Sequence, residues 1–194
     1  MDRDTAERLR VLEAKVGELS DRLEIMQLIA AYGPAVDSMD RDGVAALWAA
    51  DGSYDFGGAP LAGRDAVAAL VEIDTHRAYV AAGSSHALTA PRITLDGDRA
   101  VAVNCSQVFV KGETGWRADR TSANRWDLVR TDDGWRVQRR VNRLLDGSQA
   151  ARDLYRGHRP NEVGAADDAG RGQRVGGMNI PGNGRRFASG QPRQ

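Results

Sequence analysis

Hydrophobic positions near the N-terminus repeat with the alternating three- and four-residue spacing that is typical of a helix with one apolar seam. This N-terminal seam consists of Leu9, Leu12, Val16, Leu19, Leu23 and Met26. The pattern predicts one helix over residues 4–32, which Gly33 and Pro34 break or kink. Because the seam begins well before the globular domain predicted from residue 21, we expect it to pack against another copy of the chain. Folding back onto its own domain is the alternative.

Beyond this helix, helical patterns give way to the alternating patterns of strands. The patterns predict a short helix, a short strand and a long amphipathic helix over residues 41–50, 53–58 and 63–82. Four strands joined by short turns follow over residues 86–95, 100–110, 116–130 and 135–145. Helices followed by a strand meander predict an α+β fold, in which the helices pack on one face of a curved antiparallel sheet.

The chain divides into three predicted parts. A helical extension over residues 1–20 precedes a globular domain over 21–146 and a C-terminal segment over 147–194. In the last segment a short helix, SQAARDLYRG, is followed by sequence that is rich in Gly, Arg, Asn and Gln and poor in large apolar residues. Such a composition predicts a flexible tail, or a segment that lies across a neighbour.

Net charge limits the kinds of partner that we expect, and cysteine content limits the kinds of cellular compartment. Lys plus Arg and Asp plus Glu are equal at 27 each, so no net field favours nucleic acid or a membrane surface. The single cysteine, Cys105, lies in an apolar run typical of a core strand and fits a reducing compartment. Neither a secretion signal nor a long apolar span is recognisable, so we expect a soluble, cytoplasmic protein.

Two residues far apart in the sequence supply the chemistry of proton transfer. Asp37 lies in YGPAVDSMDRDG, after the first helix, and His86 opens a strand in GSSHALTAPRITLDGDRA. A carboxylate can orient an imidazole and fix its tautomer, and the imidazole then takes a proton near neutral pH.

Four sequence segments, two of which contain these residues, resemble the SnoaL-like branch of the nuclear transport factor 2-like superfamily. In order they are LEIMQLIAAYGPAVDSMDRDGVAALWAADGSYDF, LAGRDAVAALV, SSHALTAPRITLDGDRAVAV and NRWDLVRTDDGWRVQRR, within residues 21–146. The resemblance implies a cone-shaped α+β barrel, in which a bent sheet wraps around helices and leaves an apolar pocket open at one end.

Within that superfamily the chain is most similar to dehydratase-type members, which include scytalone dehydratase, hexachlorocyclohexane dehydrochlorinase and bile-acid dehydratase. The resemblance implies that Asp37 and His86 meet in the pocket as a catalytic dyad, with Tyr32 beside them. Some members carry a second His on a later strand, where this chain has Asn104 and no His. Delivery of a proton to a leaving group would then depend on Tyr32, Tyr54, Asn104 or Arg125.

The predicted pocket wall supplies candidate substrate contacts, namely Tyr54, Trp48, Asn104, Arg125 and Phe109. Strand alternation places Arg120 and Arg125 on opposite faces of one strand, and the pattern leaves open which of them faces the pocket. Arg125 can equally form an ion pair with Asp127. His76 has charged neighbours in the sequence and is predicted on a solvated helix face.

The sequence carries no signature of a metal or cofactor site. The three His lack the spacing of metal ligands, and no Gly-rich phosphate loop joins a strand to a helix. We therefore expect a cofactor-independent lyase that performs a dehydratase-type elimination on a small to medium, apolar and cyclic substrate. An isomerase or cyclase of the same fold is the first alternative. A non-catalytic ligand-binding or oligomerisation module is the second.

Overall fold

The computed structural model describes residues 2–156, which form five α-helices and seven strands. The helices are α1 Arg3–Asp37, α2 Arg41–Leu47, α3 Arg64–Ala68, α4 Asp74–Ala82 and α5 Gln149–Arg156. The strands are β1 Trp48–Asp55, β2 Leu61–Ala62, β3 Ser84–Leu88, β4 Arg92–Asp96, β5 Arg99–Gly112, β6 Gly115–Thr131 and β7 Gly134–Leu144. The predicted flexible tail lies outside the described residues.

All strands belong to one curved, unclosed sheet in the order β2-β1-β7-β6-β5-β3, with β4 also paired to β5. The α+β class is confirmed, and the sheet wraps around the C-terminal half of α1. The prediction of a wholly antiparallel sheet is wrong at one pair, because β1 runs parallel to β7. A parallel pair needs a long crossover, which the helices and strands between β1 and β7 supply.

The strand predicted over residues 86–95 is two strands on one edge of β5. β3 pairs with residues 106–110 of β5, and β4 pairs with residues 99–103. Pro91 lies in the gap between them, and its nitrogen has no hydrogen to donate to the sheet. The interruption leaves β3 as a short strand that lies against α1.

The first helix continues five residues beyond the end predicted at residue 32 and finishes at Asp37. Pro34 removes one hydrogen bond of the last turns, but the Ser38 amide still donates to the Pro34 carbonyl at 3.0 Å. Gly33 is required for a different reason, since a β-carbon there would overlap the carbonyl oxygen of His86. Gly33 therefore lets α1 approach β3 closely, with Asp37 one turn further along.

The core lies between the inner face of α1 and the concave face of the sheet. Ile25, Ile29 and Val36 are at most 1% exposed, and each contributes about 1.5–3 kcal/mol through burial. Trp48, Trp126 and Trp135 fill the space between helix and sheet. The core thus fixes the position of the last turns of α1 relative to strands β5, β6 and β7.

The N-terminal seam lies on the other side of α1 and stays open to solvent. Its members are 40–66% exposed: Leu9, Leu12, Val16, Leu19, Leu23 and Met26. The alternative in which this part of α1 folds back on its own domain is therefore not seen among the described residues.

Candidate active site

The end of α1, helix α4, strand β3 and the concave face of the sheet enclose a cavity of about 600 Å³. Its wall combines aliphatic and aromatic side chains with a few polar groups, as in ligand-binding cavities of this size. Phe56, Ile73 and Leu144 line the cavity although they are 49%, 50% and 48% exposed, so they form its mouth.

Asp37 and His86 meet at the wall of this cavity through two hydrogen bonds, and Ser84 adds a third to Asp37. His86 Nδ1 lies 2.7 Å from Asp37 Oδ1, and the backbone amide of His86 donates to Asp37 Oδ2 at 2.7 Å. The Ser84 hydroxyl also donates to Oδ1, at 3.3 Å. The helix end thus holds both the ring and the backbone of His86, and it fixes how the imidazole is turned.

The surroundings of the Asp37 carboxyl favour its ionised form. Burial raises its pKa, but the hydrogen bonds from the ring and backbone of His86, the charge of His86 and the Ser84 hydroxyl together hold the pKa below the ordinary value of 3.8. A carboxylate only accepts hydrogen bonds, so Nδ1 of His86 carries the proton in this pair. In the neutral ring, Nε2 then has a bare lone pair, and the ring that bears it lines the cavity.

A second imidazole lies beside the first. His76 is only 7% exposed and lines the cavity, and its ring centre is 5.8 Å from that of His86. The prediction that His76 lies on a solvated face is wrong. The predicted single helix is broken by a 3-10 turn over Ala69–Glu72 and by extended backbone at Ile73, which resets the helical phase and turns His76 inward.

The cavity also contains a buried guanidinium that no sequence pattern pointed to. Arg140 is 2% exposed, and its charged carbon lies 4.1 Å, 4.6 Å and 4.1 Å from the ring centres of Tyr32, Tyr54 and Trp126. Nε and Nη2 both donate to Asn124 Oδ1, at 3.2 Å and 2.8 Å. Aromatic faces and an amide thus hold this cation in place of a carboxylate.

One nitrogen of Arg140 is left over. Among the described residues, Nη1 is the buried side-chain polar atom that has no hydrogen-bond partner. A buried N–H without an acceptor costs about 1–3 kcal/mol, and charged groups cost more. Arg140 lines the cavity, so its guanidinium faces the space that a ligand would fill, although Nη1 itself is enclosed.

The inward position of Arg140 depends on a β-bulge. Simple alternation from the buried Trp135 and Val137 would turn Arg139 inward and Arg140 outward. The pairing of β6 with β7 shifts between Asp127 and Leu128, where one extra residue, Gln138, enters β7. Arg140 and Asn142 then face the cavity. No signal in the sequence marks the bulge.

Among the predicted site residues, Tyr32 and Tyr54 line the cavity together with His86. Both tyrosines are at least nine-tenths buried. Burial, reinforced by the neighbouring Tyr54, raises the pKa of the Tyr32 phenol well above its ordinary value of 10.0, so Tyr32 remains a hydrogen-bond donor.

Four predicted substrate contacts do not line the cavity. Trp48 is fully buried behind Tyr32, and Asn104 is occupied by Trp126 Nε1 and the Thr89 carbonyl, each at 3.0 Å. Phe109 is absent from the wall that its neighbour Val108 lines. Arg125 pairs with Asp127 at 2.8 Å, and Arg120 on the opposite face lines the cavity instead.

Arg120 belongs to a polar group in the same wall. Its guanidinium lies 5.8 Å from the ring centre of Tyr79, whose hydroxyl donates to Asp119 Oδ2 at 2.8 Å. Arg117 donates to the other oxygen of Asp119, also at 2.8 Å. Both oxygens of this carboxylate are thus engaged. Residues 2–156 contain no group of three or more His, Cys, Asp or Glu side chains arranged to hold a metal ion.

A sequence model of the SnoaL-like domain matches residues 17–141, about two thirds of the chain. The chain belongs to the SnoaL-like domain family. This fold serves isomerases, dehydratases and ligand-binding proteins. The architecture described above is the cone of the nuclear transport factor 2-like superfamily.

Individual relatives extend this family assignment. An uncharacterised protein of Mycobacterium tuberculosis is 33% identical over 136 residues, which cover 65% of this chain and 86% of that protein. The crystal structure of a nuclear transport factor 2-like protein with a cystatin-like fold, from Novosphingobium aromaticivorans, is 47% identical. It has a TM-score of 0.72 and covers 74% of this chain and 94% of its own.

A second structure from Novosphingobium aromaticivorans, a proposed aromatic ring hydroxylase, is 25% identical with a TM-score of 0.54. The match covers 66% of this chain and 90% of that one. These relatives are uncharacterised or hydroxylase-like, so they support the superfamily and do not select its dehydratase branch. Among the described residues, no helix has the length and apolar character needed to cross a bilayer.

Proposed function

We propose that this protein is a lyase that removes a proton from a carbon next to a carbonyl group and expels a hydroxyl group, as a dehydratase does. The observation that supports this most is the 2.7 Å contact between Asp37 Oδ1 and His86 Nδ1 at the wall of a cavity. A carboxylate-oriented imidazole with its second nitrogen open to a cavity is the arrangement of a general base.

In the proposed first step, His86 Nε2 takes the proton from carbon. The imidazolium that forms is stabilised by the Asp37 carboxylate, which remains ionised throughout. The carbon–oxygen bond then breaks, and the imidazolium returns its proton to the departing hydroxyl, so that water leaves and neutral His86 is restored. The hydrogen bond from the backbone amide of His86 to Asp37 Oδ2 keeps the ring and the carboxylate together during the transfer.

In the same step, Arg140 would receive the charge that leaves the carbon. As the proton departs, negative charge develops on the carbonyl oxygen. The guanidinium of Arg140, which Asn124 and three aromatic rings hold at the cavity wall, is the cation positioned to stabilise this charge. Donors fixed in advance of the reaction stabilise such an oxyanion without reorganisation. Tyr32 and Tyr54 flank this guanidinium.

The cavity limits the size and polarity of the proposed substrate. A volume of about 600 Å³ suits a small to medium molecule, and aliphatic and aromatic side chains form much of the wall. An apolar, cyclic carbonyl compound fits these limits. Isomerisation and cyclisation begin with the same proton transfer, and they remain the alternative when the substrate has no leaving group.

A defined probe tests the proposal. The β-hydroxy ketone formed from benzaldehyde and acetone loses water to give a conjugated enone, which is followed by ultraviolet absorbance. The wild type should accelerate this loss, and His86→Gln should lower the rate by roughly 10²–10⁴-fold with unchanged circular dichroism. An unaltered rate in the folded His86→Gln variant would contradict the mechanism.

Arg140→Met tests the proposed oxyanion donor on the same probe. Methionine occupies a similar volume and removes a buried, unpaired N–H, so stability should be retained or improved. Turnover should fall by about 10²–10³-fold, because a donor to the developing oxyanion is lost. Arg125→Met is the matched control, since Arg125 lies outside the cavity wall, and its turnover should equal that of the wild type.

We also propose that the chain forms a homo-oligomer, a dimer or a trimer, through the N-terminal seam. Six large apolar side chains are 40–66% exposed along one stripe of α1, at the spacing of a coiled coil. The flanking positions Arg8 and Glu13 would pair between parallel neighbouring helices, which adds charge complementarity.

Light scattering of the eluting protein tests this assembly. The wild type should have two or three times the chain mass of 21.0 kDa, and the double variant Leu12→Glu, Leu19→Glu should elute at 21.0 kDa. Ala14→Glu, on the polar side of the same helix, should keep the wild-type mass. A wild type of 21.0 kDa would exclude the proposal.

A further inference from the structure

His76 is a buried imidazole that the proposed proton transfer does not use. Its Nε2 lies 2.8 Å from the carbonyl oxygen of Val36 in the last turn of α1. A carbonyl oxygen only accepts, so Nε2 carries the ring proton. In the neutral ring, Nδ1 is then an acceptor.

This acceptor is open to the cavity. Nδ1 of His76 makes no hydrogen bond to any residue in 2–156, yet it does not belong to the enclosed polar atoms that lack a partner. The ring lines the cavity, so the accessible surface of Nδ1 is cavity surface. The other titratable or charged side chains that line the cavity are Tyr32, Tyr54, Tyr79, His86, Asp119, Arg120 and Arg140.

We propose that His76 determines specificity for a substrate that bears a hydroxyl group, by accepting a hydrogen bond from that hydroxyl at Nδ1. The inference rests on the proposed function and names its substrate class, a hydroxylated carbonyl compound. Three polar groups would then each contact a different part of the substrate. Arg140 donates to the carbonyl oxygen, His86 faces the acidic carbon and His76 accepts from the hydroxyl.

The geometry near α1 favours one molecule that touches both histidines. Their ring centres are 5.8 Å apart, and their planes meet at 42°. Val36 holds one ring through its carbonyl oxygen, and the next residue, Asp37, holds the other through its carboxylate. Because both anchors lie on one helix turn, the spacing between the two open nitrogens is fixed before a ligand binds.

Two ketones that differ only in the hydroxyl group test the inference. Benzylacetone lacks the hydroxyl, and the β-hydroxy ketone described above has it. Binding is measured by calorimetry in the His86→Gln background, where the reactive ketone is not consumed. The hydroxylated ketone should bind about five- to tenfold more tightly, the value of one added hydrogen bond.

Two substitutions of His76 separate recognition from structure. His76→Gln can still donate to the Val36 carbonyl but places no acceptor at the Nδ1 position, so the hydroxyl preference should vanish while the melting temperature holds. His76→Asn can place its oxygen near Nδ1 but cannot reach Val36. It should keep the preference with a lower melting temperature.

Each result decides between the two proposals. Equal binding of the two ketones in the His86→Gln background, or a preference that survives His76→Gln, overturns the role of His76 and leaves the base mechanism intact. Failure of both ketones to bind counts against the proposed function, and the inference falls with it.

Discussion

Partly buried His86 and buried His76 are two imidazoles on one cavity that differ in what holds them. His86 is anchored by a carboxylate, which also accepts its backbone amide, whereas His76 is anchored by a neutral backbone carbonyl. Both anchors fix a tautomer and leave one nitrogen open. Only the carboxylate can stabilise a positive charge on the ring. We therefore propose different roles for the two rings, proton removal for His86 and substrate recognition for His76.

The largest difference is expected between variants of His86 and of His76 in a reaction that requires only a general base. Benzylacetone in deuterated water exchanges the hydrogens next to its carbonyl, and the wild type should accelerate this exchange. His86→Gln should lower the rate by roughly 10²–10⁴-fold. His76→Gln should leave it unchanged, because this ketone has no hydroxyl group. The intensities of the proton resonances measure both rates. Equal losses of exchange rate in the two variants would contradict the proposed difference between His86 and His76.

The next effect concerns the anchor of His86. Asp37→Asn replaces one oxygen by an NH₂ group, which cannot accept from either the ring or the backbone amide of His86. Turnover of the β-hydroxy ketone should fall by about 10²-fold or more, because the ring loses its tautomer and the stabilisation of its charge. Asp127→Asn is the control, since that carboxylate pairs with Arg125 away from the cavity wall. Steady-state rates comparable to the wild type in Asp37→Asn would refute the role of the carboxylate.

A third effect reaches His86 through the backbone. Gly33→Ala places a β-carbon against the His86 carbonyl oxygen, so α1 and β3 must separate. The free energy of unfolding in urea should fall by about 1–3 kcal/mol. Gly17→Ala, in an exposed part of the same helix with nothing within 4 Å, should instead raise it by about 0.5–1 kcal/mol. A neutral Gly33→Ala would show that the close approach is not needed.

The smallest effect is the pH dependence that only the carboxylate anchor can have. The pKa of the Asp37 carboxyl is lower in the folded chain than the ordinary value of 3.8, so the unfolded chain takes up a proton first as the pH falls. Asp37 therefore stabilises the fold above that value and loses its contribution below it. The difference in unfolding free energy between the wild type and Asp37→Asn should shrink as the pH is lowered from about 6 to about 3. A constant difference would contradict this linkage.

The pairing of Asp37 with His86 could be expected from the sequence, because an aspartate after the first helix and a histidine opening a strand fit one family pattern. The α+β class likewise follows from helical patterns that precede a strand meander. The sequence does not show that α1 continues beyond Pro34 to Asp37. That depends on Gly33 fitting against β3, a contact between residues more than fifty positions apart.

His76 and Arg140 could not be predicted from periodicity. Each faces the cavity because the regular repeat is broken just before it, by the 3-10 turn before α4 and by the bulge at Gln138 in β7. One irregular residue reverses every later position of a strand or rotates a helix face. Such breaks are stabilised by tertiary packing, so local sequence patterns carry little trace of them.

Nitrogen-15 NMR on histidine-labelled protein tests most directly which ring nitrogen of His86 and which of His76 carries the proton. In the neutral rings, His86 should carry its proton on Nδ1 and His76 should carry its proton on Nε2. In Asp37→Asn, His86 should lose this fixed tautomer while His76 keeps its own. A proton on Nε2 of neutral His86 in the wild type, or no response of His86 to Asp37→Asn, would contradict the central claim.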